Sequence, residues 1–243
     1  MPGPRYFVTS KIVAGASVAL DADDARHAST VLRSRPGDPL TLLAEGIAWE
    51  ADFASVGSDG VMAVARRPSA QQGGELPAQV TILQALTKGA KFDDVVEKSV
   101  ELGAANIVPV ICARSESAGG ENRVARWRRI AKAAAMQSRR RIVPSVAAPV
   151  SWQLACEAAM PRALALIAYE QAECATLAAA LSRFAVGTPV VIAVGPEGGL
   201  TSDEVALTRE LGAHIVSLGP TILRTETAAA VLLAAVASGL GWW

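Results

Sequence analysis

The chain has 243 residues, 51% of them hydrophobic and 19% charged, enough to bury a sizeable core and unlike a disordered or fibrous polypeptide. Lys plus Arg and Asp plus Glu each number 23, so net charge neither favours nor excludes a polyanionic partner, and its distribution has to decide. The longest strongly apolar run, residues 228–237, is about half of what a bilayer-spanning helix needs. Residues 1–10 hold no apolar core of a secretory signal, and the expectation is a cytoplasmic protein with no membrane partner. Cys112, Cys156 and Cys174 stand far apart, with only His27 and His214 as companions. That argues against a metal site or a disulfide framework and for small buried thiols.

From the start of the chain, short apolar stretches at 18–20, 40–43, 47–53 and 61–65 alternate with turn signals such as Arg35-Pro36-Gly37-Asp38-Pro39 and Val56-Gly57-Ser58-Asp59-Gly60. This pattern predicts a small β-rich module with at most one short helix, over 23–32. Residues 67–77 carry two Pro and two Gly and no apolar periodicity, and they read as a linker, dividing the chain into domains 1–72 and 73–243. Beyond it, 80–86 is strand-like, 91–102 places Phe92, Val95, Val96 and Val100 at helical spacing, Gly103 supplies a stop, and 107–112 is strand-like again. That is a βαβ unit. Further strands over 163–169, 190–194 and 214–218, each followed by a helical segment, predict an α/β domain with a mainly parallel sheet.

Three segments can carry chemistry. Strand 190–194 runs into Gly195-Pro196-Glu197-Gly198-Gly199-Leu200 and then a helix start marked by a Thr201/Glu204 capping box. Ligands bind at such strand ends, and glycines let a backbone approach them closely. The spacing is neither a dinucleotide fingerprint nor a P-loop, and a plain tight turn remains the alternative. A second strand end repeats the layout: Leu218-Gly219-Pro220, then Leu223-Arg224-Thr225-Glu226-Thr227 before an all-apolar helix that has to be buried on every side, by its own domain or another subunit. Its polar residues either cap the helix and pair with each other or join the first loop in one ligand cradle. Third, residues 121–141 hold eight cations against the single acid Glu121. The run is too one-sided for internal salt bridges and reads as a phosphate-backbone footprint, with Trp127 as a core anchor for its helix.

With Arg5-Tyr6-Phe7, His27, Val31-Leu32-Arg33, the segment from Lys88-Gly89 and Lys91 to Glu101-Leu102-Gly103, the 195–200 loop and the 218–228 loop in family order, the chain resembles the E-type 16S ribosomal RNA (uracil-N3) methyltransferases, which are SPOUT (knotted) methyltransferases. Met136-Gln137-Ser138 departs from the family's usual Glu-Gln at that place. The resemblance implies an N-terminal PUA-like β-barrel that holds RNA and a C-terminal α/β SPOUT domain with a trefoil knot. It also implies a homodimer, S-adenosyl-L-methionine as cofactor, and 16S rRNA in the small ribosomal subunit as substrate.

The residues that the resemblance nominates for the cofactor are Ala168, Tyr169, Gly195, Pro196, Glu197, Gly198, Gly199, Leu218, Gly219, Leu223, Thr225 and Thr227. Arg224 would stabilise the uridine anion, and Glu226 would either accept the N3 proton or hold Arg224 in place. The nominated RNA surface is Arg5, Arg33, Lys88, Lys91, Arg123, Arg139, Arg140 and Arg141. Rival expectations are a knotted methyltransferase for another RNA or another base atom, and a non-catalytic RNA-binding assembly factor. The intact 223–228 segment argues against the second.

Overall fold

A computed structural model describes residues 3–57, 59–71, 74–115, 121–170, 177–181 and 187–242. The chain divides into an N-terminal unit, Met1–Glu75 with Ala135–Val143, and a C-terminal unit, Leu76–Ala134 with Pro144–Trp243. The segment 135–143, which chain position alone assigns to the second domain, belongs with the first.

In the N-terminal unit, β1 (Arg5–Phe7), β2 (Ser17–Ala19), β3 (Pro39–Ala44), β4 (Ile47–Gly57) and β5 (Gly60–Pro68) form one sheet in the order β1-β3-β4-β5-β2. The β3-β4 and β4-β5 pairs are antiparallel, whereas β1 lies parallel to β3. Alternating side chains send Leu40, Leu42, Phe53, Val61 and Ala63 inward around Tyr6, and Met136 packs against the same core. The expected helix over 23–32 is two pieces. Helix α1 (Ala22–Arg26) starts at Asp21, whose side chain accepts from the Asp24 amide, and a π-helical turn, His27–Val31, follows. The π turn sets His27 edge-on to Tyr6, with ring centroids 6.3 Å apart.

In the C-terminal unit, β6 (Val80–Ala85), β7 (Asn106–Ile111), β8 (Ser145–Val146), β10 (Leu164–Ala168), β11 (Val190–Val194) and β12 (His214–Val216) are ordered β12-β10-β11-β6-β7-β8, and the short β9 (Val150–Ser151) pairs with β7. All these pairings are parallel. A parallel sheet is covered on both faces, which is why β11 is buried at every position. Helices α2 (Lys91–Glu101), α3 (Glu121–Gln137, whose residues 135–137 count with the N-terminal unit), α4 (Trp152–Ala159), α5 (Leu177–Leu181), α6 (Ser202–Glu210) and α7 (Thr225–Gly239) complete the chain order. Helix α2 ends where expected, at Gly103 with φ of 95°. The capping box of α6 is also present: Thr201 accepts from the Glu204 amide while the Glu204 carboxylate accepts from the Thr201 amide.

Helix α7 buries Ala228, Ala229, Leu232, Leu233, Val236 and Ala237, while Thr227, Val231 and Ser238 lie on a stripe that the described residues leave open. No helix among the described residues is long and apolar enough to cross a membrane.

Candidate active site

Because β10, β11 and β12 run parallel, their C-terminal ends bring three loops together, and these loops enclose a cavity of about 600 Å³. Its lining comes from 168–170, 194–200 and 217–226, with Lys91 and Ala228 completing it. Eleven of the twelve residues nominated for the cofactor line it, Thr227 being the exception, and so do Arg224 and Glu226. Thr227 is excluded by helix geometry. Two residues beyond Thr225, it is turned about 200° round the axis of α7 and is exposed.

The loop after β11 is held from several sides. Arg114 Nη1 donates to the Gly198 carbonyl at 2.9 Å, and Lys91 Nζ donates to Glu197 Oε1 at 3.1 Å. Burial raises the pKa of Glu197, but its own backbone amide and Lys91 outweigh that and hold it below the usual carboxylate value. Gly195 must be glycine on contact grounds, since a Cβ there would meet Leu200 Cγ at 2.8 Å. Gly199, with φ of +72°, would set a Cβ 3.0 Å from Glu170 Oε1.

The loop before α7 carries the groups suited to chemistry. Arg224 has extended backbone at the helix N-cap, offers no side-chain cap, and is exposed. Among the described residues, no ion pair joins it to Glu226, so the reading in which the two pair with each other is not what the structure holds. Glu226 Oε2 is buried and has no hydrogen-bond partner among the described residues. It stands at the wall of the cavity as an acceptor that a bound group can engage. The third polar side chain of this turn is already used, because Thr225 Oγ1 donates to the Gly195 carbonyl at 2.7 Å and accepts from Gln84 Nε2 at 2.9 Å. Gln84, fully buried, was missed from sequence. The signal was present as an amide inside an apolar strand of a two-sided sheet, where it has to find partners.

The cationic run is less free than its local charge count implies, because its partners come from distant sequence. Arg126 pairs with Asp93 at 2.6 Å, and Arg128 Nε donates to the Val146 carbonyl. Arg123 lies over Trp127, 5.1 Å from the ring centroid, and Trp127 is a wholly buried core anchor packed on Phe92. Arg140 is only 2% exposed, with its guanidinium 2.5 Å from Glu75, so it is a buried structural ion pair rather than a phosphate contact. Arg141 donates to the Gly46 carbonyl, and Arg5 to the carbonyls of Arg139 and Arg140. Burial, and then the charge of Arg139, lower the pKa of Arg5. Arg33, Lys88 and Arg139 are exposed.

Cys112 and Cys156 are buried free thiols. Burial pushes both upward, Cys156 to about 12, and keeps them protonated and unreactive. Cys174 lies outside the described residues.

Residues 74–237 match the RNA methyltransferase domain family. The ribosomal RNA small subunit methyltransferase E of Synechocystis sp. is 34% identical over 96% of this chain and 76% of its own length. The protein of that name from Bacillus subtilis is 32% identical over 96% of this chain and 95% of its own. The crystal structure of a ribosomal RNA small subunit methyltransferase E from Neisseria gonorrhoeae bound to S-adenosyl methionine aligns at a TM-score of 0.86 and 32% identity over 97% of each chain. A methyltransferase from Legionella pneumophila in complex with the bound cofactor SAM aligns at 0.85 and 27% identity over 98% of each.

Proposed function

We propose, from the premise that this chain belongs to the ribosomal RNA small subunit methyltransferase E family, that it binds S-adenosylmethionine in the three-loop cavity and methylates N3 of a uridine in 16S rRNA. The single observation that carries this reading is the convergence of the glycine loop after β11 with the Arg224–Glu226 turn on one cavity. At about 600 Å³ the cavity lies in the range of small-molecule sites. Its walls combine Gly195, Gly198, Gly199 and Gly219 with apolar side chains and the carboxylates of Glu170, Glu197 and Glu226, a set that fits a nucleotide-like cation.

The cofactor supplies an electrophilic methyl group. The chain's own residues do the rest. Main-chain amides and carbonyls of 195–200 and 218–223 hold and orient it, and Ala168 and Tyr169 close the third side. Arg224, exposed at the rim, stabilises the negative charge that develops on a uracil turned out of its stack. Glu226 Oε2 takes the N3 proton.

Exposed Arg33, Lys88 and Arg139, with Arg123 beside them in role, are the phosphate contacts that remain after Arg140 is assigned to Glu75. The proposal extends to the family's architecture: a closed PUA-like barrel around the N-terminal sheet, a trefoil knot at the cavity loops, and a cytoplasmic homodimer in which a second copy covers the open stripe of α7. Sedimentation should then give about twice 25.1 kDa.

The deciding experiment incubates the protein with labelled S-adenosylmethionine and small ribosomal subunits that lack the modification, then maps the product nucleoside. N3-methyluridine is the expected product. Label on another atom or another RNA, or none at all, overturns the reading.

A further inference from the structure

We propose that Gln84, which does not line the cavity, is a positioning residue for methyl transfer, acting through Thr225 to fix the catalytic turn against the glycine loop. This rests on the proposed cofactor and catalytic reading. Gln84 sits near the end of β6, opposite Val194 in the neighbouring β11, and is 0% exposed. Its Nε2 donates to the Ala85 carbonyl at 3.2 Å and to Thr225 Oγ1 at 2.9 Å. Thr225 spends its one hydroxyl proton on the Gly195 carbonyl at 2.7 Å, so toward Gln84 it can only accept. Hydrogen counting therefore fixes the orientation of the amide, and the chain of bonds runs one way, from β6 to α7 to the loop after β11.

Among the described residues, the Thr225–Gly195 bond is the one hydrogen bond between that loop and the 217–227 segment. Thr225 lies between Arg224 and Glu226, so its hydroxyl sets the rotational phase of the first turn of α7 and, with it, where both side chains face the cavity. Gln84 in turn sets Thr225.

The amide is poorly chosen for stability alone. Its Oε1 is buried without a partner, and an apolar side chain of similar size would leave no such group unpaired. A glutamine there gives up some stability of the fold and in return supplies the donor that fixes the Thr225 hydroxyl.

The test uses the full-length protein and S-adenosylmethionine, with Gln84→Met as a volume-matched side chain that cannot donate. The expected result is a melting temperature within a few degrees of wild type and a single-turnover rate at saturating cofactor lower by about ten- to a hundred-fold, the usual cost of misplaced catalytic groups. Thr225→Val should match it, Thr225→Ser should restore the rate, and the double variant should be no worse than either single one. Gln84→Glu donates only when its buried carboxyl is protonated, so its rate relative to wild type should rise as pH falls. A rate for Gln84→Met equal to wild type, whatever its melting temperature, overturns the assignment, as does a flat pH ratio for Gln84→Glu. If Gln84→Met does not fold, the Thr225→Val and Thr225→Ser pair decides from the other end. Wild-type protein that binds cofactor in calorimetry while all variants transfer normally sinks only the network; wild-type protein that binds none sinks the cofactor reading with it.

Discussion

The two principal walls of the cavity are built differently. The loop after β11 is fastened from outside by Arg114, by Lys91 and, at its far end, by the α6 capping box, and its Gly195 sits where a Cβ would collide with Leu200. The loop before α7 has a local side-chain brace, Ser217 Oγ on Gly219, meets the other loop through the Thr225 hydroxyl, and carries Ile222 88% exposed and Arg224 exposed. One wall is a braced cradle suited to holding a ligand through its backbone, and the other adds to its backbone the side chains of Arg224 and Glu226. On the proposed reading both loops hold the cofactor while the chemical groups come from the second alone, and substitutions should separate the two contributions.

The largest effect should come from the open rim. Arg224→Ala is expected to lower methyl transfer by about 10²- to 10³-fold, the scale for losing a charge-stabilising donor, with cofactor affinity in calorimetry unchanged. Lost cofactor binding would erase the division of labour between the walls. Next is the cradle, where Gly195→Ala places a Cβ 2.8 Å from Leu200 Cγ, a side chain buried in the core. Cofactor affinity should fall about tenfold, as for roughly 1 to 3 kcal/mol of overpacking, and unchanged affinity would show that the loop yields. Smaller still, Thr201→Ala removes the capping box and should cost about 1 kcal/mol of stability in denaturant unfolding, with little effect on the rate at saturating cofactor.

The smallest effect belongs to the N-terminal unit. Burial, and then Asp24, raise the pKa of Tyr6 from 10.0 to about 12. Between those values the unfolded chain releases a proton that the folded chain keeps, so the tyrosine's contribution is complete below pH 10 and is lost as pH rises toward about 12. Tyr6→Phe should flatten that part of the alkaline unfolding curve. At neutral pH it should change stability by less than about 1 kcal/mol, because the phenol oxygen is buried without a partner.

Much of the cavity was legible in the sequence because strands, glycine turns and caps are local signals. The run Val190–Val194, the Thr201/Glu204 box and the stop at Gly103 each announce themselves within a few residues. What could not be read depends on tertiary partners. A cluster of arginines looks unpaired when acids are counted nearby, yet Asp93 and Glu75 neutralise two of them from 33 and 65 residues away. The same limit hid Gln84, whose partner Thr225 lies 141 residues along the chain. Met136, at the place where the resemblance leads one to expect an acid, contributes to a hydrophobic core that its position in sequence gave no reason to expect. For helix α7, composition gives only the average over its faces, and packing shows which stripe the described residues leave open.

The return of Ala135–Val143 to the N-terminal unit has a consequence for how the protein is made. A nascent chain that has just released Glu75 carries a carboxylate whose guanidinium has not been translated, and at about 5–20 residues per second that wait lasts several seconds. The first unit to emerge from the ribosome is thus not complete until residue 143 has followed, and cutting a gene fragment after residue 75 would strand an acid without its counter-ion and a core without Met136.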